Sequence, residues 1–197
     1  MLKLYHAPRS RSSRFIWLLE ELGAPYEIER VSIRRGDGSG QLDPKDPHPH
    51  GKVPVVVHNG TTVFESTAVA LYLTDAFPDK GIGPRIGDEQ RGAYLTWLAY
   101  YAGVLEPAFV SKFMKVSVPR GTAGWVDSDE AMAYVSGALS AGPFLLGERF
   151  SAADVLYGST FALFLGSPLL PEQPVLRSYV TRCQARPAYG RAAAKDG

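Results

Sequence analysis

Residues 51–66 read GKVPVVVHNGTTVFES, which predicts a complete β-hairpin. Val55 to Val57 form a β-branched run of the kind enriched in strands, and Thr61 to Phe64 form the returning strand. Asn59-Gly60 lies between them and is the strongest two-residue turn signal, because both residues tolerate the positive φ that such a turn requires. We therefore expect two antiparallel strands joined by a two-residue turn.

Both ends of this hairpin carry groups that can bind a ligand. Pro54 has no N–H for a strand ladder, so it should stand at the first strand residue or at an edge, where a cis Val53-Pro54 bond would hold the backbone open for another backbone. At the other end, Glu65 and Ser66 precede a helical apolar pattern. Their carboxylate and hydroxyl lie where helix N–H groups point outward, so this end can hold a ligand carboxylate.

The residues before the hairpin alternate between strand and helix patterns. Leu2 to Tyr5 alternate as a strand, apolar residues at helical spacing follow until Gly23, and Tyr26 to Val31 alternate again. This pattern predicts a β-α-β unit, whose two strands should be parallel. The crossover between them should be right-handed. Arg34 to Gly51 is interrupted by glycines and prolines and predicts a loop.

No strand pattern returns after the hairpin. Pro78 to Asp88 is rich in glycine and predicts a linker. Apolar residues at helical spacing then predict four helices. These are a long helix from Tyr94 to Phe113 with a kink at Pro107, a helix through Met132 and Leu139, a helix that begins with the capping pair Ser151 and Asp154, and a last helix from Val175 to Ala185 before a polar tail.

Composition excludes several classes of function. The chain has 197 residues, of which 45% are hydrophobic and 21% charged, as is ordinary for a globular protein. Its formal net charge of +1 gives no basic field for nucleic acid, and no apolar run approaches the ~20 residues that span a membrane. The single cysteine, Cys183, excludes an internal disulfide and is expected to be buried. Without a signal-peptide core after Met1, we expect a cytoplasmic protein.

Five motifs along the chain are shared with one enzyme family. They are S-R-S-S-R-F-I-W-L-L-E-E-L-G at 10–23, G-K-V-P at 51–54, E-S-T-A-V-A-L-Y-L at 65–73, W-L-A-Y-Y-A at 97–102 and F-S-A-A-D-V at 150–155. Each is weak alone, but together they resemble the glutathione transferase family. The resemblance implies an α/β thioredoxin-like domain at residues 1–77, a linker at 78–88 and an all-α helical domain at 89–197.

The same resemblance implies a set of contacts to glutathione. Lys52 would pair with the glycyl carboxylate, and Val53 would give its backbone N–H and C=O to the cysteinyl unit, with Pro54 holding that geometry. Glu65 and Ser66 would take the γ-glutamyl ammonium and carboxylate. The usual N-P before G-K-V-P is replaced by Pro47-His48-Pro49-His50, and His50 either assists Lys52 or faces water.

Three residues of the turn before the first helix are candidates to stabilise the thiolate of glutathione, namely Ser10, Arg11 and Ser12. Ser10 matches by position the serine of the serine-type enzymes, while Arg11 falls near the position that carries cysteine in the bacterial beta class, so a cysteine mechanism is not available. A hydroxyl here would donate to the thiolate and, with the helix dipole, lower its pKa. Ser12 or Ser13 is expected to cap the helix instead. Tyr5 is a competing hydroxyl but is expected to be a packed ring.

The electrophile site is less defined by the sequence. His6, Tyr101, Phe109 and Phe113 are candidates for the pocket that takes a small hydrophobic electrophile, although aromatic residues at helical spacing are more often core. The four histidines have neither helical i, i+4 pairing nor a cysteine partner, so no metal is expected.

Three functions remain open at this point. The first is a glutathione transferase of a bacterial-looking serine type, with a role in detoxification. The second is a non-catalytic scaffold, since such folds also serve as regulatory modules. The third is a glutathione-dependent isomerase, peroxidase or disulfide reductase. The resemblance also implies a homodimer, with residues around Glu65 and the Tyr94 helix at the interface.

Overall fold

A four-stranded sheet with the order β2-β1-β3-β4 forms the centre of the first half of the chain. The computed structural model describes all residues, 1–197. Strand β1 (Leu2–His6) pairs in parallel with β2 (Glu27–Arg30), as the β-α-β prediction requires. Strands β3 (Val55–His58) and β4 (Thr61–Phe64) form the expected antiparallel hairpin, and β3 pairs antiparallel with β1. This is the thioredoxin-like arrangement that the sequence predicts.

The turn and the proline of the hairpin also match the prediction. Asn59 and Gly60 have φ of 51° and 84°. This type of two-residue turn requires a positive φ at both of its positions. The Val53-Pro54 bond is cis, and Pro54 stands immediately before β3, which is a central strand. The segment between β2 and β3 is a loop, as predicted, and it contains no helix, although the sequence pattern allows a short one.

Helix α1 (Ser13–Leu22) crosses from β1 to β2 and is buried over most of its length. Its end is fixed by Gly23, whose φ of 60° is a left-handed conformation that glycine adopts without steric cost. Helix α2 (Ser66–Ala76) follows the hairpin and buries Val69 and Leu73. The predicted positions of both helices are confirmed.

The polar tail predicted after residue 185 is wrong. Pro187–Asp196 forms a further helix, α8, which packs against α1. Its small residues Ala188 and Ala192 are buried, and the ring of Tyr189 meets Trp17 edge to face, with ring centroids 5.2 Å apart. The packing is made by small and charged residues, so no apolar stripe marks this helix in the sequence.

Four segments of helix were predicted between residues 94 and 185, and the structure has five. Helices α3 (Arg91–Tyr100) and α4 (Glu106–Met114) are joined by a π-helical turn, Tyr101–Leu105, so the irregularity of the long predicted helix begins before Pro107. The remaining helices are α5 (Ser128–Ala141), α6 (Ala152–Phe164) and α7 (Pro174–Gln184). The capping box at Ser151 and Asp154 is present, and Cys183 is buried on α7.

Residue contacts divide the chain into two compact units. Unit 1 contains residues 1–81 and 186–197, and unit 2 contains residues 82–185. The predicted helical domain ran to residue 197, whereas helix α8 packs within unit 1 because its charged face meets acidic residues on α1. None of the helices is long and apolar enough to cross a membrane.

Candidate functional site

The turn between β1 and α1 holds two hydroxyls in contact with each other. Ser10 Oγ donates a hydrogen bond to the Ala7 carbonyl at 2.7 Å and lies 2.8 Å from Ser12 Oγ. Ser10 is partly exposed, whereas Ser12 is fully buried. Of the two hydroxyls, only that of Ser10 is therefore open to a ligand.

Neither serine caps helix α1, and this prediction is wrong. Ser12 occupies the N-cap position but has helical backbone angles and makes no side-chain cap hydrogen bond. Its Oγ instead accepts from the Ala7 N–H at 3.1 Å, back across the turn. Ser13 Oγ accepts from the Ser10 N–H at 3.2 Å. The hydroxyls therefore fix the shape of the turn rather than the first N–H groups of the helix.

His6, a predicted pocket residue, is fully buried behind this turn. Its Nδ1 lies 2.8 Å from Ser12 Oγ, and its Nε2 donates to the Asp196 carbonyl at 3.2 Å. Burial lowers the pKa of His6, against the raising effect of the hydrogen bond and charge of Asp196. A ring enclosed in this way has no surface to offer an electrophile, so the structure does not favour His6 as a pocket residue.

The residues that directly follow β1 and β2 pack against Val53, whose bond to Pro54 is cis. Ala7, Val31 and Val53 form a buried apolar cluster, and the ring of Tyr5 packs on it, as expected for a structural tyrosine. The cluster places the backbone of Val53 next to the turn that carries Ser10. Arg35 holds the loop after β2 against the same turn, because it donates to the Pro8 carbonyl at 2.8 Å.

The loop before Val53 is organised by His48, for which the sequence predicts no role beyond its place in the altered Pro47-His48-Pro49-His50 segment. His48 is buried, its Nδ1 accepts from the His50 N–H at 3.0 Å, and its ring lies 4.9 Å from that of Phe64. Burial lowers the pKa of His48. The carboxylate of Glu65 raises this pKa, and the Lys52 ammonium lowers it further. His48 therefore contacts both ends of the hairpin. The sequence feature that could have predicted this role is its position in the Pro-His-Pro-His segment.

Three predicted polar ligands stand exposed around this loop. Lys52 and His50 are solvent-exposed, and Glu65 is exposed at the N-terminus of α2. Glu65 has φ 70° and ψ 125°, a conformation that a residue with a Cβ rarely adopts. Ser66, the first residue of α2, is half-buried. The site thus combines an ammonium, a carboxylate and the free N–H groups of a helix, which fits a ligand carrying both charges.

The aromatic pocket candidates occupy different environments in unit 2. Tyr101 is fully buried, and its hydroxyl donates to Glu106 Oε1 at 3.0 Å. Phe109 is also buried and meets Phe164 edge to face. Phe113 is 74% exposed. Tyr101 and Phe109 thus pack as core residues, which was the alternative interpretation of their helical spacing.

No group of three histidine, cysteine, aspartate or glutamate side chains is placed to hold a metal ion. Helix α3, which carries Tyr94, was predicted near a dimer interface. Tyr94 itself is fully buried, whereas Leu95 on the same helix is 39% exposed, so the helix as an interface element stays a prediction.

Comparison with known proteins bears on this arrangement directly. The family described as "Glutathione S-transferase, N-terminal domain" matches residues 1–75, which include the turn at Ser10 and the hairpin with both its ends. Residues 1–75 therefore resemble the N-terminal domain of glutathione S-transferases. Glutathione S-transferase 3 of Schizosaccharomyces pombe is 29% identical over 78% of this chain and 70% of that protein. Glutathione S-transferase GstA of Escherichia coli O157:H7 is 27% identical over 78% of this chain and 77% of that protein.

Solved structures of bacterial glutathione transferases extend the similarity over the whole chain. A glutathione transferase from Methylococcus capsulatus superposes with a TM-score of 0.76 at 27% identity and covers 100% of this chain and 99% of its own. A sphingomonad glutathione S-transferase complexed with glutathione gives a TM-score of 0.77 at 25% identity over 99% of this chain and 98% of its own. The glutathione S-transferase fold therefore includes both the thioredoxin-like part and the helical part of this chain.

Proposed function

We propose that this chain is a glutathione transferase that binds glutathione on unit 1 and stabilises its thiolate for attack on a small hydrophobic electrophile. The observation that carries the proposal is the joint placement of a partly exposed serine, a cis peptide that stands just outside the strand ladder, and a helix N-terminus. Ser10, Val53 and Glu65 supply these three groups. They match the three parts of an extended tripeptide with a thiol between two charged ends.

The backbone and charged groups of the site support one orientation of bound glutathione. The N–H and C=O of Val53 pair with the cysteinyl unit, since this residue stands just outside the ladder of β3. Lys52 pairs with the glycyl carboxylate. Glu65 takes the γ-glutamyl ammonium, and Ser66 with the N-terminal N–H groups of α2 takes the adjacent carboxylate.

Ser10 is the hydroxyl that donates to the thiolate. It is half-exposed, whereas the hydroxyl of Ser12 is enclosed by Ala7, His6 and Ser10 itself. Arg11 is exposed beside it and adds a positive charge near the thiolate. A donor aimed at a developing negative charge stabilises the thiolate more than the thiol, which is the differential effect that catalysis requires.

Support from relatives comes from a neighbour with bound ligand. The sphingomonad enzyme, whose fold superposes over nearly the entire chain, is a complex with glutathione. A theta-class glutathione S-transferase from Xanthomonas axonopodis, at 25% identity and a TM-score of 0.72, is also a structure with glutathione bound.

The test begins with calorimetric titration of glutathione into the purified protein. We expect binding in the micromolar to millimolar range, followed by turnover in a panel of aryl halide, peroxide, mixed disulfide and maleyl substrates. Transfer to the aryl halide supports the transferase. Turnover of only another substrate assigns an isomerase, peroxidase or reductase, and the absence of binding at millimolar glutathione assigns a non-catalytic scaffold.

A further inference from the structure

A continuous chain of hydrogen bonds leads from the end of helix α8 to the open hydroxyl of the site. Asp196 accepts from His6 Nε2 through its carbonyl, at 3.2 Å. His6 Nδ1 lies 2.8 Å from Ser12 Oγ, and Ser12 Oγ lies 2.8 Å from Ser10 Oγ. His6 and Ser12 are fully buried, so water does not interrupt this chain.

The groups around His6 decide which ring nitrogen carries the proton. Nε2 faces two acceptors of Asp196, its carbonyl at 3.2 Å and its carboxylate Oδ1 at 3.5 Å. A nitrogen between two acceptors must hold a hydrogen. In the neutral ring, Nδ1 is therefore bare and accepts the proton of Ser12. His6 thus presents a basic nitrogen toward the serines.

The charges that face His6 come from two elements besides its own. Asp196 on α8 places a carboxylate beside Nε2; its Oδ2 accepts from the Arg9 N–H at 3.2 Å, while its Oδ1 is buried without a hydrogen-bond partner. Arg30 on β2 opposes a positive charge on His6 but donates to the carbonyls of Lys195, Asp196 and Gly197. Burial holds the pKa of His6 low, so the free ring is neutral near pH 7 and able to accept a proton.

On the basis of the proposed function, we propose that His6 is the acceptor of the glutathione thiol proton, which reaches it through Ser10 and Ser12. His6 acts through the two hydroxyls and is a positioning residue rather than a group in contact with substrate. Asp196 compensates the imidazolium that results, because its unpartnered Oδ1 lies within reach of Nε2.

Each hydroxyl gives one proton and receives one in this step. The Ser10 hydroxyl first turns its proton from the Ala7 carbonyl toward Ser12 Oγ, 2.8 Å away. The S–H bond of glutathione then breaks and its proton passes to Ser10 Oγ, while the Ser10 proton passes to Ser12 Oγ and the Ser12 proton passes to His6 Nδ1. The products are a thiolate, two intact hydroxyls and an imidazolium, so charge is conserved inside the site. The Ser10 hydroxyl then carries the former thiol proton and donates it as a hydrogen bond to the thiolate.

The proposal predicts an unusual proton balance. When a protein ionises a bound thiol without an internal acceptor, one proton enters the solvent for each thiolate formed. The thiolate that forms and the Asp196 carboxylate both favour the imidazolium over the neutral ring, so the proton stays on His6. The ratio of protons released to thiolates formed should therefore be near zero at neutral pH. Calorimetry of glutathione binding in buffers of different ionisation enthalpy counts the protons, and ultraviolet absorbance of the thiolate counts the thiolates.

Two variants separate proton acceptance from a structural role. His6→Asn keeps an acceptor near the position of Nδ1 but takes up no proton, so the bound thiol pKa should rise by about one unit, roughly a tenfold loss of thiolate below that pKa. The remaining thiolate should release its proton to solvent. Asp196→Asn should also reduce the thiolate but keep the ratio near zero, because His6 is intact. His58→Asn, at a ring that contacts Tyr72 instead, is the control and should match the unaltered protein.

The outcomes distinguish this inference from the proposed function. Glutathione binding with one proton released per thiolate in the unaltered protein overturns the relay and leaves the transferase in place; this result does not depend on whether any variant folds. An unchanged thiol pKa in folded His6→Asn also overturns it. The absence of any glutathione binding removes both the proposed function and the relay.

Discussion

Glu65 combines an unfavourable backbone conformation with an exposed side chain that we propose to bind glutathione. Its φ of 70° costs of order 1–3 kcal/mol for a residue with a Cβ, and such strain is characteristic of ligand sites. The conformation directs a carboxylate and the first N–H groups of α2 toward the same ligand. On the proposed function, ligand binding rather than stability accounts for a glutamate at this position.

Replacement of Glu65 provides the first prediction. Glu65→Ala leaves the ammonium of glutathione without its partner and should weaken binding by about 2 kcal/mol, measured by calorimetry. The exposed Glu27→Gln on β2 is the control and should bind normally. Glu65→Gly should be more stable to urea than Glu65→Ala by about 1 kcal/mol, because glycine adopts positive φ freely. An unaltered dissociation constant in Glu65→Ala would remove this residue from the site.

Ser10 provides the second prediction. Ser10→Ala removes the donor that faces the thiolate, so the pKa of bound glutathione should rise and turnover near neutral pH should fall, with little change in affinity for the neutral thiol. The pH-rate profile and the dissociation constant measure these effects separately. Ser13→Ala removes a hydroxyl that only accepts within the turn and should leave the profile in place. If Ser10→Ala also leaves it in place, Arg11 and the backbone N–H groups are the stabilisers.

Sequence patterns locate the residues of this site better than they describe their contacts. The hairpin, the cis proline and the helix after Glu65 follow from local signals, and the structure confirms each of them. The orientation of Ser12 does not, because its partners Ala7 and His6 lie across the turn and compete with the helix for its hydroxyl. The contact between His6 and Asp196 joins residues 190 positions apart, and no local pattern reports it.

At the scale of elements, helices α1 and α8 are joined by ion pairs that neither sequence segment reveals alone. Glu21 accepts two hydrogen bonds from Arg186, at 2.6 and 2.8 Å, and Glu20 pairs with Arg191 and Lys195. Both glutamates are nearly buried. Helix α8 was missed because helix prediction depends on an apolar stripe, whereas this helix packs through alanines and charges that need their partner on α1.

Acid sensitivity of this helix pair is the third prediction. Burial raises the pKa of Glu20, but hydrogen bonds from Lys195, Arg191 and Tyr26 outweigh it and lower the pKa from 4.5 to about 2. When the pKa of a carboxyl group is lower in the folded protein than in the unfolded chain, the group stabilises the fold at pH values above its unfolded-state pKa. That stabilisation is lost as the pH falls through its folded-state pKa. Glu20 should thus contribute up to about 3 kcal/mol above pH ~4.5, lost progressively toward pH ~2.

Urea unfolding across this pH range tests that expectation. Glu20→Gln should be less stable than the unaltered protein at neutral pH, and the difference should shrink as pH falls toward 2. The exposed pair of Glu172 and Arg177 offers a matched control, since Glu172→Gln should change stability little at any pH. A Glu20→Gln difference that stays constant with pH would contradict the assignment.

The capping box of α6 provides the fourth prediction. Asp154 is fully buried and accepts from the N–H of Ser151 at 2.8 Å, the N–H of Leu145 at 3.0 Å and the hydroxyl of Tyr179 at 3.0 Å. Asp154→Asn turns an amide N–H₂ toward these donors, so unfolding free energy should fall by about 3 kcal/mol or more. Denaturant melts measure this loss. The exposed cap Asp127→Asn, whose amide oxygen can still accept, should cost far less.

At the scale of the whole molecule, the sequence predicts the order of elements better than the limits of the compact units. The thioredoxin-like sheet and the helices after it were predicted from periodicity and turn residues, and both are present. The grouping of residues 186–197 with unit 1 depends on contacts between α1 and α8, which are far apart in the chain. The residue bounds of the two domains therefore remain a prediction, to be tested by limited proteolysis.

Assembly is the last prediction, and the sheet supplies its argument. Strand β4 is an edge strand with mostly exposed residues, and Phe64 at its end is 36% exposed beside Glu65. An apolar ring at the edge of a binding site is a feature that a symmetric partner can cover. We therefore predict a homodimer whose interface includes Phe64, with a two-chain mass in sedimentation at micromolar concentration.

The variant Phe64→Glu tests this interface against a general effect of surface charge. In a symmetric contact, the new carboxylate would be buried against the partner subunit with no cation to neutralise it. The variant should therefore sediment as a monomer. Phe113→Glu on α4 is the control, because Phe113 is 74% exposed and should leave the dimer intact. Phe64 also contacts the ring of His48, so circular dichroism must show that the variant is folded. A monomeric unaltered protein would exclude the dimer. A folded Phe64→Glu variant that still forms a dimer would place the interface elsewhere.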